Sequence, residues 1–346
     1  MGGKKLKFVL VLLFTLITTV WLTSYGIMSS VDILKGHILR GDNETLSAPG
    51  PKTATQVANI TGIWKQQKMR LNEIKYACKR LNRTQSFTPP RAFTSRLLVN
   101  DHDQVLFGFI PKVGCTTWKS VFSKSRKAYG QKTFETLSNF DDVERERRLR
   151  TYKKVLFVRD PIIRFLSAYL SKFRNLQNMQ KSWEEMYGFD ILKLYRFGSE
   201  ELCKKVRALP VAERTFLNVT LTEFIRFITD LGDTYVLHDI SDHWLPQHIV
   251  SHVCEIPYDF IGKYENLELE APFLLNWVGM TSVVQFPEIH QSEAAVNLAH
   301  EYSNVPLGVI EDLRKYYSVD FELFGYDSRR SIGKVIRNVF NIDILE

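Results

Sequence analysis

The chain has 346 residues, of which 45% are hydrophobic, and it shows neither an internal repeat nor a second domain boundary. This length and composition exclude a repeat architecture and predict one large α/β domain with a sizeable core. The formal net charge of +8 and the sequence pI near 9.1 predict attraction to polyanions, because basic clefts steer charged ligands.

The N-terminus has the pattern of a membrane anchor. Lys4, Lys5 and Lys7 precede residues 8–30, which carry no charged side chain and are long enough to span a bilayer as one helix. We therefore expect a cytoplasmic tail at 1–7, a signal-anchor at 8–30 and a body on the lumenal side. A cleaved signal peptide is the competing interpretation, but residues 24–30 (SYGIMSS) offer only weak cleavage candidates. A lumenal body also excludes nucleic acid as the polyanionic partner.

Residues 31–61 are predicted to form a flexible stem, because they lack apolar periodicity and contain the turn-forming segment APGP at 48–51. The folded domain is expected over 62–346 and begins with an amphipathic helix, indicated by apolar residues at helical spacing. Those residues are Leu71, Ile74, Cys78 and Leu81. Sequons that agree with a lumenal location stand at Asn43, Asn59, Asn82 and Asn218.

A strand, a loop and a helix start follow one another at 105–119 (VLFGFIPKVGCTTWK). Gly114 permits a tight turn, Lys112 adds a charge, and the amides after the glycine are expected to point at an anion over the helix N-terminus. The nucleotide P-loop is excluded, because its lysine follows the second glycine whereas Lys112 precedes the only one. The candidate anion-binding residues of this loop are Pro111, Lys112, Val113, Gly114, Cys115, Thr116 and Thr117.

A second unit of this kind lies at 153–173 (KKVLFVRDPIIRFLSAYLSKF). Residues 155–158 are typical of a buried parallel strand, and Pro161 suits a first helical turn. Arg159 and the helix amides should face an anion at the sheet edge, and Ser167 can turn toward it. The alternative is a surface arginine beside an ordinary turn. The candidate binding residues are Arg159, Asp160, Pro161, Ile162, Ile163, Arg164, Phe165, Leu166 and Ser167.

Together these two units resemble the 5′-phosphosulfate loop and the 3′-phosphate motif of sulfotransferases. The segments IPKVGCTTWK at 110–119 and RDPIIRFLSAY at 159–169 are similar to Golgi carbohydrate sulfotransferases of the chondroitin and dermatan 4-O-sulfotransferase type. The resemblance continues through 220–227, 242–247, 258–265 and 320–326 and covers most of 95–326. Thr117 and Ser251 depart from the pattern, where asparagine and cysteine are usual.

The resemblance implies a P-loop-like three-layer α/β sulfotransferase domain with a central parallel sheet, in a type II Golgi membrane protein. The implied donor is 3′-phosphoadenosine 5′-phosphosulfate (PAPS), with no metal. The implied acceptor is a glycan hydroxyl, O-4 of N-acetylgalactosamine in chondroitin or dermatan, and Lys112 is expected to stabilise the leaving phosphate. Alternatives are another hexose or uronic acid on a glycoprotein or glycolipid, and a non-catalytic glycan-binding relative. A nucleoside triphosphate kinase is opposed by the missing Walker lysine.

A sugar hydroxyl must lose its proton during transfer, so a general base is expected. His243 is the best candidate because Asp242 could orient its ring and Trp244 could wall the cleft; a structural histidine capped by a carboxylate is the alternative. His238 and His248 are further candidates. A metal site at His248 and His252 is disfavoured because their spacing matches no zinc pattern.

Other segments carry simpler expectations. The segment TLTE at 220–223 is a capping box opening an apolar helix, and the mixed-sign run at 144–150 is predicted to be solvated. Lys263, after the predicted strand at 258–262, either faces an acidic sugar or is a solvated strand-end lysine. Four cysteines allow three complete pairings, and we expect Cys115 to be free because a bridge would constrain its loop.

Overall fold

The computed structural model of the chain describes residues 54–130, 135–174, 183–210, 218–231 and 241–333. The predicted tail and anchor, the predicted stem up to residue 53, and His238 lie outside these ranges. Among the described residues, no helix has the length and apolar character needed to cross a membrane. The compact unit that contains the described fold spans Thr55–Glu346.

A four-stranded sheet in the order β1-β2-β3-β4 lies at the centre of this unit. Its strands are β1 (Leu97–Asn100), β2 (Val105–Gly108), β3 (Lys153–Val158) and β4 (Phe260–Lys263). Strands β2, β3 and β4 are parallel, whereas β1 pairs antiparallel with β2. The expected parallel sheet is therefore mixed. The reason is local, because only residues 101–104 join β1 to β2 and a parallel pair needs a long crossover connection.

Helices connect and cover the strands. They are α1 (Ala54–Arg80), α2 (Cys115–Ala128), α3 (Asp142–Thr151), α4 (Pro161–Tyr169), α5 (Phe189–Leu192), α6 (Glu200–Arg207), α7 (Leu221–Leu231), α8 (Gln247–Ser251), α9 (Leu267–Trp277), α10 (Glu293–Val296), α11 (Leu298–Tyr302), α12 (Leu307–Tyr316) and α13 (Ser318–Leu323). Short 3-10 or π-helical turns lie at Arg91–Thr94, Leu137–Asn139, Leu170–Arg174, Glu184–Gly188, Lys193–Phe197 and Tyr264–Asn266.

The buried residues form two hydrophobic clusters. One surrounds the sheet, whose strands are buried almost throughout, as expected of parallel strands covered on both faces. The other joins the apolar faces of α4, α7 and α12 around Phe165, Phe224 and Trp244. The carboxyl-terminal ends of β2 and β3 lie where these two clusters meet.

The predicted first helix is confirmed and begins at Ala54. Ile74 and Cys78 are buried on the sheet cluster, while Leu81 lies beyond the end of the helix. Arg70 donates to both carboxylate oxygens of Glu270 at 2.8 and 2.9 Å and to the Ile261 carbonyl at 3.0 Å. The helix is therefore attached to β4 and α9, elements about 190 residues away.

A disulfide joins Cys78 at the end of α1 to Cys254, with Cα atoms 5.4 Å apart. Cys115 and Cys203 are free, which confirms the expectation for Cys115. Ser251 stands where the first cysteine of a Cys-x-x-Cys pair is usual in the resembling family, and Cys254 is paired with Cys78, 176 residues away in the chain.

The capping box is confirmed, since the Glu223 N–H donates to Thr220 Oγ1 and the Thr220 N–H donates to Glu223 Oε2. The predicted solvated run at 144–150 is wrong for two side chains. Arg145 and Arg148 are buried, and Arg148 donates to Asp101 Oδ1 at 2.8 Å. The mixed-sign run therefore stabilises α3 against the turn between β1 and β2.

We predict that replacing both Cys78 and Cys254 by serine lowers the free energy of unfolding by about 2–5 kcal/mol, because the bridge closes a very long loop in the unfolded chain. Chemical denaturation with and without reductant measures this. Reductant should destabilise the parent and Cys203→Ser, but not the double variant. Equal stability of parent and double variant would contradict the prediction.

Candidate functional site

The loop after β2 reaches the N-terminus of α2 through a left-handed turn. Gly114 has φ +68°, and a Cβ there would lie 3.3 Å from the Tyr264 ring, so the turn requires glycine. Lys112 also has a positive φ of +69°, which is costly for a side chain with a Cβ. Its carbonyl is held by Arg159, whose Nη1 donates to it at 2.9 Å. The two predicted units are therefore in direct contact.

The two helix N-termini next to this contact differ in capping. At α2, no side chain of the described residues caps the amides that follow Gly114. At α4, Asp160 Oδ1 accepts from the amides of Ile162 and Ile163 at 2.9 and 3.1 Å. The expectation that both N-termini present amides to an anion therefore holds only for α2. Asp160 satisfies those of α4 itself.

Arg159 is buried to 3% exposure, and its backbone is fixed by Gln247, which bonds both its N–H and its carbonyl. Its guanidinium lies 4.4 Å from the Tyr264 ring centroid and donates to Ser292 Oγ. Nε is buried without a partner, and no carboxylate of the described residues forms an ion pair with this side chain. A buried cation in this state is suited to an anionic ligand.

A cavity of about 220 Å³ opens beside Arg159. It is lined by Lys112, Ser167, Leu170, Ser171, Ser292, Glu293 and Ala294. The predicted residues Lys112 and Ser167 are therefore brought together. Lys112 Nζ donates to Ser171 Oγ at 2.8 Å.

Lys112 lies in an unusual charge environment. Burial, followed by the nearby charges of Lys172 and Arg159, lowers the pKa of its ammonium to about 8. An anion in the cavity would reverse this effect and favour the protonated form.

Ser171 and Ser292 were missed by the sequence interpretation. Ser171 follows Ser167 by four residues, so helical spacing was a usable signal for it. Ser292 is 133 residues from Arg159, and nothing in its local sequence indicates the contact.

Arg164 is fully buried and does not face the cavity. Its Nε donates to the Pro111 carbonyl at 3.0 Å, Nη1 to Leu245 at 2.7 Å and Nη2 to Asp242 at 2.8 Å. The predicted role of its side chain in anion binding is therefore not supported by the geometry. It joins the loop of Lys112 to the loop of His243.

The remaining predicted residues divide by burial. Pro111, Val113, Pro161, Ile162, Phe165 and Leu166 are buried, so their side chains support the site from the core. Cys115, Thr117 and Ile163 are half-buried, and Thr116 is exposed. Contact with a ligand at these positions would come from the open amides of α2 and from the partly exposed side chains.

His243 lies on the loop before α8. Its Nδ1 is 2.9 Å from Ser241 Oγ and 3.2 Å from Asp242 Oδ1, so Nε2 points away from the carboxylate. Burial raises the pKa of Asp242, but the hydrogen bond with His243 and the charge of Arg96 outweigh it and lower that pKa. Asp242 is therefore an ionised partner that orients the ring. Trp244 is fully buried and does not wall a cleft as expected.

The other described histidines of this segment have structural partners. His248 Nδ1 is 2.7 Å from Asp320 Oδ1, and it lines a larger cavity of about 570 Å³ that neither Lys112 nor Arg159 reaches. His252 stacks on Phe93 at 3.9 Å, and burial lowers its pKa to about 4. No group of three or more metal-ligating side chains occurs within the described ranges. Lys263 Nζ donates to the Gly325 carbonyl at 3.0 Å.

Comparison with known proteins gives one consistent result. The profile of the sulfotransferase family matches residues 95–327. Carbohydrate sulfotransferase 14 of Danio rerio is 32% identical over 278 residues, covering 75% of this chain and 71% of the relative. Carbohydrate sulfotransferase 14 of Homo sapiens is 29% identical over 249 residues, covering 68% and 61%. Carbohydrate sulfotransferase 12 of Mus musculus is 30% identical over 268 residues, also covering 68% and 61%. No solved structure matches the chain.

We predict that Arg164→Met lowers the free energy of unfolding by about 3 kcal/mol or more, because three buried carbonyls lose their donor. Arg330→Met is the matched control, since Arg330 is exposed and the same charge is removed; it should shift stability by less than about 0.5 kcal/mol. Urea titration of both variants measures the difference. A loss for Arg164→Met no larger than the control's would contradict the role assigned to Arg164.

Proposed function

Because this chain belongs to the sulfotransferase family, we propose that it transfers a sulfo group from PAPS to a carbohydrate hydroxyl, O-4 of N-acetylgalactosamine in chondroitin or dermatan. The observation that carries the proposal is that Lys112 and Ser167 line one cavity beside the uncapped N-terminus of α2, while Arg159 donates to the Lys112 carbonyl and to Ser292, another residue of that lining. The specific acceptor rests on the motif resemblance of 110–119 and 159–169, and the relatives' names state only carbohydrate sulfotransferase.

The residues present fit a bisphosphorylated nucleotide. Arg159 has an unpaired buried Nε and donates to Ser292, which lines the cavity together with Ser167, so Arg159 and Ser167 would hold the 3′-phosphate. The amides after Gly114 and the Lys112 ammonium would hold the 5′ end. The donor supplies an activated sulfo group and its leaving phosphate when bound.

The chain's own contribution to the reaction is orientation, charge stabilisation and proton removal. Lys112 places a positive charge where the leaving phosphate gains negative charge. His243 Nε2 accepts the proton of the attacking hydroxyl, while Asp242 holds the ring through Nδ1. Arg164 fixes both loops to α4, so the distance between the cation and the base is set by the fold.

The proposed location is the Golgi membrane, with a type II anchor at 8–30 and the catalytic domain in the lumen. The apolar segment, the preceding lysines and the sequons support this location. The disulfide agrees with an oxidising compartment.

Transfer from labelled PAPS by the purified chain to a panel of desulfated polysaccharides tests the proposal. We expect label on desulfated chondroitin or dermatan, at O-4 of the galactosamine, and little on glucosamine-containing polymers. Arg159→Ala should abolish most transfer, since a lost charged hydrogen bond costs about 1.5–3 kcal/mol. Absence of label on every carbohydrate would contradict the proposed activity.

We predict that the affinity for adenosine 3′,5′-bisphosphate falls as pH rises through about 8, the pKa of Lys112 in the free protein. The charged form binds the anion, so affinity is highest below this pKa and drops about tenfold per pH unit above it. The phosphates are already fully ionised there, with a second pKa of about 6.

Calorimetry between pH 7 and 9.5 measures this dependence. Lys112→Arg should keep its affinity across the range, because arginine stays charged. Cys203→Ser, which removes the other free thiol of the described residues, should keep the parent's midpoint. A parent whose affinity is constant to pH 9.5 would contradict the assignment.

For His243 we predict that replacement by glutamine lowers turnover by about a hundredfold or more, because glutamine keeps the volume and hydrogen bonding but accepts no proton. Affinity for adenosine 3′,5′-bisphosphate should stay unchanged. His102→Gln is the control, since His102 is exposed on the turn before β2, at the opposite end of that strand from the Lys112 loop. If His243→Gln kept the parent's rate and pH dependence, His243 would be a structural residue, and the base would have to be sought at His238 or nearby carboxylates, since His248 is bonded to Asp320 at the other cavity.

A further inference from the structure

Several lysines of the described residues lie over aromatic rings, and they differ in whether the ammonium group also donates to a carbonyl. Lys153 and Lys263 lie over Trp277 and Tyr326, and each also donates to a backbone carbonyl. Lys172 lies 4.3 Å from the Trp183 ring centroid, and Lys119 lies 3.9 Å from that of Phe109. Among the side chains and carbonyls that the structure describes, none is an ion-pair partner or a hydrogen-bond acceptor of Lys172 or Lys119. The rings hold these two ammonium groups in place, and none of the described side chains neutralises them.

Lys172 lies between the surroundings of His243 and those of Lys112. The ring of Trp183, which it covers, meets the His243 ring edge-on with centroids 5.2 Å apart. On the other side, the charge of Lys172 is the largest nearby charge acting on Lys112. Lys172 is half-buried, so its charge is only partly screened by solvent. It therefore lies where an acceptor must pass to bring its hydroxyl to His243.

Lys119 is connected to His243 indirectly, through a different series of contacts. The Arg96 guanidinium shares the Phe109 ring with Lys119, at 5.2 Å from the centroid, and forms an ion pair with Asp242. Asp242 neutralises Arg96 and orients His243, so Lys119 is left as the unpaired cation of this group. An aromatic ring under each ammonium restricts the side chain before a ligand arrives, which reduces the entropy lost on binding.

We propose that Lys172 and Lys119 bind uronic acid carboxylates of the acceptor polysaccharide on two sides of His243. This inference rests on the proposed function and deepens it, because it assigns recognition of an acidic sugar to named residues. Lys263, the lysine that the sequence suggested for such a role, is tied to Gly325 instead. Selection then depends on the neighbouring uronic acids as well as on the sugar that receives the sulfo group.

The test measures binding separately from turnover. The full-length chain, saturated with adenosine 3′,5′-bisphosphate, is titrated calorimetrically with desulfated chondroitin and with the same polymer after reduction of its carboxyl groups. The variants are Lys172→Gln, Lys119→Gln and the double variant. Lys124→Gln is the matched control, because Lys124 is exposed on α2 and the same net charge is lost. Affinity for the nucleotide confirms that each variant is folded.

We expect each replacement at Lys172 or Lys119 to raise the Kd for the acidic polymer roughly threefold to tenfold, as for a partly exposed ion pair. The Kd for the carboxyl-reduced polymer should be the same for parent and variants, and Lys172→Arg should bind like the parent. Unchanged affinity for the acidic polymer, an equal loss on the reduced polymer, or an equal loss in Lys124→Gln would overturn the inference. A parent that binds the acidic polymer but transfers no sulfo group would contradict the proposed function and leave the binding inference intact.

Discussion

The site depends on one buried guanidinium. Arg164 is fully enclosed, and its three bonds end on the carbonyls of Pro111, Asp242 and Leu245, which lie on two loops far apart in the chain. A buried cation is tolerated only when carbonyl dipoles or carboxylates surround it, so both loops must close around α4 for the fold to be stable. Because Lys112 follows Pro111 and His243 follows Asp242, the requirement for burial of this charge also sets the spacing of the two groups that we propose act on the reactants.

The N-termini of α2 and α4 differ in which groups are left open to an anion. At α2 a glycine in the left-handed region leaves the amides open, so in the proposed complex the backbone itself would receive the anion. At α4 Asp160 accepts from the amides, and its other carboxylate oxygen accepts from the Ser331 hydroxyl at 2.5 Å. The second anion would therefore be left to the Arg159 guanidinium and the Ser167 hydroxyl. Under the proposed function, one turn binds through dipoles and the other through a fixed cation.

Local patterns in the sequence predicted the parts of this fold that depend on local physics. Strands β2 and β3, the starts of α2 and α4 and the capping box at Thr220 follow from apolar runs, a glycine, a proline and short polar side chains. Contacts between distant residues were not predictable in this way. The buried bonds of Arg164, the contact of Arg159 with Ser292 and the burial of Arg148 against Asp101 each join segments separated by 47 to 133 residues. The sequence interpretation assigned Arg164 to a ligand and Arg148 to solvent, whereas tertiary packing places both side chains in the interior.

The attachments of α1 have a consequence for biosynthesis. The helix leaves the ribosome early in synthesis. Cys254, the disulfide partner of Cys78, is synthesised 176 residues later. Ile261 and Glu270, which bond Arg70, are also synthesised long after the helix. At roughly 5–20 residues per second, the thiol of Cys78 has no correct partner for about 10–35 s of translation. During this interval the helix exposes an apolar face that the finished sheet later covers. In an oxidising compartment, where an oxidant takes up the two electrons, Cys78 is exposed in this interval to forming a wrong disulfide with Cys115 or Cys203.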